Sequence, residues 1–132
     1  MKRIARTYMP VCFVLLVGVV LPVFAHHSTA QFDTEKTITL EGTVTDIVWG
    51  NPHTLIFMDA KDPEAANSPV KNWNLELPSP GAMAAKGFKS DTVKAGDKIT
   101  VICNPRKDGK PNVLVLTLTD AAGKTYVLKE PV

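Results

Sequence analysis

The sequence predicts a small, mainly β domain: an OB-fold-like barrel of five to six strands, with one short helix between strands three and four. Three observations predict it. Runs in which apolar and polar residues alternate recur from residue 36 onward. The first run is long and carries Gly42 on its apolar side, where a missing side chain suggests a bend or bulge. A single helix-forming segment separates the third and fourth runs, the layout of a five-stranded Greek-key barrel. The competing architecture, a two-sheet sandwich, has no need of that helix.

Residues 1–25 read as an export signal. Lys2, Arg3 and Arg6 form a positive start, Val11 to Leu21 is an apolar run, and Val23-Phe24-Ala25 suits a peptidase. The alternative, an uncleaved anchor, is disfavoured because the apolar run falls short of the roughly 20 residues of a span and meets Pro22. Cys12 opens the apolar run instead of following it, so it does not read as a lipoprotein cysteine. Cleavage after Ala25 starts the mature chain at His26-His27-Ser28 and leaves no stable membrane span. Residues 26–35 then form an N-terminal arm, pinned to the body by Phe32, and residues 36–132 form the barrel.

The formal charge of +2 includes three cations of that signal, so the mature chain is close to neutral. No basic stripe remains to neutralise phosphates, which argues against a nucleic-acid partner. Of the two cysteines only Cys103 lies in the mature chain, so no internal disulfide can form. It reads as a small buried hydrophobe at a strand end.

Lys36 to Trp49 is the longest strand candidate. Ile38, Leu40 and Val44 alternate with Thr and Glu residues. Past Gly42 the pattern slips, so Asp46 falls on the face of Ile38 while Ile47 and Trp49 fall on the other. Gly50-Asn51-Pro52 is turn chemistry. Thr54 to Asp59 is apolar on both faces and reads as a central strand. Residues 61–70 form a loop. In Lys71 to Leu77, Trp73, Leu75 and Leu77 make one buried face, and Glu76 lies opposite, toward solvent. Ser79 caps a short helix with Pro80 at its first position, and Gly87 stops it; Phe88 docks its end. Lys98 to Cys103 is the fourth strand and Asn112 to Thr119 the fifth, with Leu114, Leu116 and Leu118 on one face and Val113, Val115 and Thr117 on the other. Thr125 to Leu128 is a short edge strand.

The chain also resembles a known family. His26-His27-Ser28 after a signal, Phe32-Asp33, Leu40-Glu41-Gly42-Thr43-Val44, Trp49-Gly50-Asn51-Pro52-His53, Ser79-Pro80 and Ala95-Gly96-Asp97 are similar to a family of small exported bacterial proteins with no assigned function. The resemblance implies a periplasmic or secreted OB-like domain and carries no activity. One departure is Gly87-Phe88, where the family usually has Gly-Trp.

The residues themselves suggest a site. All three histidines lie in two distinctive segments, His26 and His27 at the new terminus and His53 in the turn. A terminal His26 offers its α-amine and imidazole to one ion, and copper(II) favours such nitrogen ligands; zinc is the weaker candidate. The ligand set resembles the histidine brace of some copper proteins, without any likeness of fold or spacing. His27 and His53 complete the set. Geometry opposes it, because a straight first strand of about 13 residues at about 3.3 Å each puts His53 far from the arm's attachment. The arm must then fold back along the barrel. The bland alternative has His53 bonding a backbone group and Trp49 capping the barrel end.

The expected function is that of an exported, non-enzymatic binding module, with copper(II) held by the processed histidines. The alternative is a metal-independent module that binds another exported protein or a small ligand on a surface framed by Trp49, Asn51, His53 and Glu76. An enzyme ranks last, since no Cys-x-x-Cys, phosphate loop or motif-grade nucleophile–base arrangement is present.

Overall fold

The computed structural model describes residues 29–130. The segment expected to be an export signal lies outside the described residues, as do His26 and His27.

Six strands form: β1 (Ile38–Val48), β2 (Thr54–Lys61), β3 (Val70–Leu77), β4 (Lys98–Pro105), β5 (Asn112–Thr119) and β6 (Thr125–Val127). A short helix, α1 (Pro80–Ala84), stands between β3 and β4. The sheet runs β3-β2-β1-β4-β5-β6, and β3 also pairs with β5 in parallel. That last pairing closes a five-stranded barrel and leaves β6 at the edge. The OB-type architecture expected from the alternation is the one observed.

The first strand is long because it serves two partners. Residues 38–43 pair with β4 and residues 42–48 with β2. Gly42 belongs to both ladders. A Cβ there would lie 2.3 Å from the Asp59 carbonyl oxygen and 2.9 Å from Ala60 Cβ and Met58 Cγ. Gly42 therefore serves close approach of β2, and the bulge falls a little later. Val44 pairs with Met58 and Asp46 with Phe57, so Thr45 is the extra residue. This explains the slip in the pattern. Beyond the bulge Ile47 and Trp49 turn to pack on the core, while Val48 is exposed.

The third strand has its buried face as expected, with Trp73, Leu75 and Leu77 all in the core. Trp73 donates its indole N–H to the Ala60 carbonyl at 3.2 Å, so its one polar atom is satisfied. Burying each such side chain contributes about 1.5–3 kcal/mol. The ion pairs Lys36–Glu64 and Lys71–Asp62 are exposed and screened by water and salt, so the core dominates stability. Ser79 caps α1 by accepting from Ala82 N at 3.3 Å, and Met83 is the helix's buried residue. Gly87 takes the positive φ of 81° that ends it. Phe88 docks as predicted: its ring stacks on Trp49 at 6.2 Å and meets Tyr126 edge-on at 5.2 Å.

The fifth strand differs from its sequence pattern. Ile102 pairs with Thr117 and Cys103 with Val115, so Leu116 is bulged. The bulge sends Val113, Val115 and Leu118 to the barrel core. Leu114 and Leu116 are buried outside it. The chain after β6 covers Leu116, whose carbonyl accepts from Leu128 N and Lys129 N at 2.8 and 3.1 Å. Strict alternation fails here because one extra residue exchanges the two faces.

Candidate functional site

The turn from Trp49 to His53 contains a cis peptide bond between Asn51 and Pro52. His53 follows directly and precedes Thr54, which pairs with Leu77 at the end of the β2–β3 ladder. The imidazole is thereby brought beside the last residues of β3. Its Nδ1 lies 3.3 Å from the Leu77 carbonyl oxygen. A carbonyl only accepts, so Nδ1 carries the hydrogen, and Nε2 is the lone-pair nitrogen of the neutral ring. Nε2 lies 3.7 Å from Glu76 Oε1.

Glu76 stands opposite Leu55 in β2 and Leu114 in β5. It is on the outer face, as its place in the alternation requires. It is not simply solvated, since its side chain is only 20% exposed against 36% for His53. Together His53 and Glu76 line a cleft of about 190 Å³. Phe32, Leu77 and Leu114 give it apolar walls, and Thr29 and Lys129 complete its rim.

Thr29 in that cleft is the main departure from the distance argument. Residues 29–33 do not travel back along β1. They form a 3-10 turn at Thr29–Gln31, and Phe32 then bridges to Arg106 at the end of β4. Pro105 faces Val113 in β5, Leu114 faces Glu76 in β3, and Leu77 faces Thr54 in β2. Each lateral step between strands is only about 5 Å. Closure of the barrel through β3–β5 thus replaces the length of β1 by a short path across the seam.

The arm is tied down at several points. Phe32 is buried, as expected of its pin. Asp33 N donates to the Pro105 carbonyl at 2.8 Å and Lys107 N to the Gln31 carbonyl at 3.0 Å. Arg106 Nη1 donates to Gln31 Oε1 at 2.6 Å. Asn104 Nδ2 donates to the Lys36 carbonyl at 2.7 Å. Arg106 also holds Asp108 through two bonds at 2.8 and 2.7 Å. The guanidinium keeps the Asp108 carboxyl well below the usual carboxylate range, and the carboxylate raises Arg106 in turn.

The other proposed ligand residues go elsewhere. Trp49 lies against Phe88 and the core, which matches the barrel-end cap. Asn51 is exposed in the turn. His26 and His27 lie outside the described residues, a few positions before Thr29. Among the described residues no group of three His, Cys, Asp or Glu side chains is gathered to hold a metal. None of their helices is long and apolar enough to cross a membrane. Sequence reading missed Gln31, Arg106, Leu114 and Lys129. Only the Arg106-x-Asp108 pairing left a local signal; the rest depends on barrel closure.

Fold and cleft define a class: a closed OB-type barrel in which Thr29 and Phe32 line a cleft at the β3–β5 seam with a histidine–carboxylate pair. The chain belongs to the family of unknown function DUF6152, whose match spans residues 14–115. No curated protein matches the chain.

Proposed function

We propose that this protein is an exported, non-enzymatic binding module that holds copper(II) where its processed amino terminus meets His53. The observation that carries this reading is that Thr29 and His53 line one cleft. His26 stands three residues before Thr29, a reach of up to about 10 Å when extended. Its amine and imidazole therefore fall within range of the cleft.

The chemistry of the pair favours a metal. A backbone partner on Nδ1 orients the ring and turns Nε2 toward Glu76, an orientation that suits a ligand histidine. Two donors each about 2.0–2.2 Å from one ion lie roughly 3 Å apart at a right angle and roughly 4 Å apart when opposed. The 3.7 Å between His53 Nε2 and Glu76 Oε1 falls within that range. Nitrogen-rich ligation with a carboxylate suits copper(II) in tetragonal geometry, with zinc(II) second.

The test is a copper(II) competition titration with EPR on protein that mass spectrometry shows to begin at His26. A tight one-to-one site with several nitrogen ligands is expected, weakened by His53→Ala and by one extra residue before His26. Weak binding that ignores both changes would remove the proposal. The apolar walls of the cleft would then favour the second reading, a metal-independent site for a small ligand that packs on Phe32 and Leu114 and bonds His53 or Glu76.

A further inference from the structure

We infer that the outer face of β1, β2 and β3 is a sugar-binding platform, on which a neutral glycan stacks a pyranose ring over Phe57. The inference goes beyond the copper reading and shares no ligand residue with it. Residues opposed in adjacent strands share a face, so the register fixes what surrounds Phe57. Asp46 stands opposite it in β1 and Asn74 in β3, with Asn112 of β5 beyond Asn74. In the next row outward Thr43, Asp59 and Asn72 are aligned. In the row on the other side Val48 opposes Leu55.

The central strand is apolar on both faces, and its outer face has no covering strand. Phe57 and Leu55 stay half-buried although both neighbouring strands are in place, and Val48 beside them is 50% exposed. An apolar patch rimmed by polar groups marks a binding surface. The rim defines the partner. Around Phe57 stand the carboxylates of Asp46 and Asp59 and the amides of Asn72, Asn74 and Asn112, and these rows carry no Lys, Arg or His. Such a surface repels phosphates and other anions. A neutral pyranose matches it: the C–H groups of one ring face pack on the aromatic ring, and the hydroxyls at its edge donate to carboxylates and pair with amides.

The amides are prepared for such a partner. Asn72 Nδ2 donates to Asp59 Oδ1 at 2.8 Å and to Thr45 Oγ1 at 3.0 Å, which fixes the side chain and leaves its oxygen to accept. Asn74 and Asn112 face one another across the β3–β5 seam, and the buried side-chain oxygen of each has no donor. Native proteins rarely leave such atoms unpaired. A sugar hydroxyl entering at the seam supplies the missing donor.

The experiment titrates isotope-labelled protein with cellohexaose and with chitohexaose, in EDTA so that no metal takes part. NMR follows the Phe57 ring and the side-chain amides of Asn72, Asn74 and Asn112. Saturable shifts of these signals are expected with at least one of the two sugars. Phe57→Ala should weaken binding about tenfold, whereas Phe57→Tyr keeps the ring and should bind as wild type does. Asn72→Ala should weaken binding about fivefold. Asn72 is exposed, so this variant decides the matter if Phe57→Ala does not fold. Oligogalacturonate, an anionic sugar chain, should leave the signals unmoved. No saturable shift with either neutral sugar, wild-type affinity in both weakened variants, or equal binding of oligogalacturonate would overturn the inference. Shifts of the same signals by hexalysine and not by sugar would also overturn it, and would assign the face to a basic protein segment. Because the protein is metal-free throughout, failure of the copper site leaves this result unaffected.

Discussion

The Leu77 carbonyl oxygen accepts a hydrogen bond from Nδ1 of His53 at 3.3 Å, tying the turn before β2 to the end of β3. The contact determines which ring nitrogen carries hydrogen. In the neutral ring, long-range nitrogen–proton NMR should therefore show the Nδ1–H tautomer. An Nε2–H tautomer would remove the ligand orientation on which the copper site depends.

Gly42 has no room for a side chain. Its added Cβ would meet a backbone oxygen at 2.3 Å, so the strain cannot be relieved by rotating a neighbour. Gly42→Ala should destabilise the fold by about 1–3 kcal/mol or more, the range for overpacking. Urea denaturation is the measurement, and a midpoint equal to that of wild type would contradict the close approach.

Phe88 joins the barrel end to the chain after α1. Its ring meets both Trp49 and Tyr126. Phe88→Ala should cost about 3–5 kcal/mol, as for other buried aromatic truncations. Trp73 is shielded deeper in the core, so any red shift in tryptophan emission would report Trp49. Unchanged emission together with unchanged stability would count against the stack.

Cys103 should be inert in the native state. Burial pushes its thiol up to about 12 from an ordinary value of 9.0. The unfolded chain thus loses this proton near pH 9, while the folded chain keeps it. Stability is present in full below pH 9 and falls as pH rises toward 12, by about 1.4 kcal/mol per pH unit from this group. Cys103→Ala should flatten that part of the curve. Native protein should resist alkylation at pH 8 and react on unfolding; rapid native alkylation would contradict the burial.

Much of the fold was legible in the sequence because its signals are local. Alternation marked the strands, Ser79 and Pro80 marked the helix start, and Phe32 stood out as the one large apolar residue of its arm. The slip after Gly42 was also visible, since a bulge at Thr45 exchanges faces within a few residues. Leu116 was not legible, because its bulge is seen only in the pairing with β4 and leaves no break in the apolar run from Val113 to Leu116.

The sequence by itself thus determined the elements, the buried faces of all strands but β5, and the place of His53 in the turn before β2. Tertiary structure alone decided that Thr29, His53 and Glu76 share a cleft and that Glu76 is shielded there. The reason is closure of the barrel. Pairing β3 with β5 joins residues 74–76 to residues 112–114. Thr29 and His53 line one cleft at that seam, so their separation is set by strand spacing and not by the length of β1.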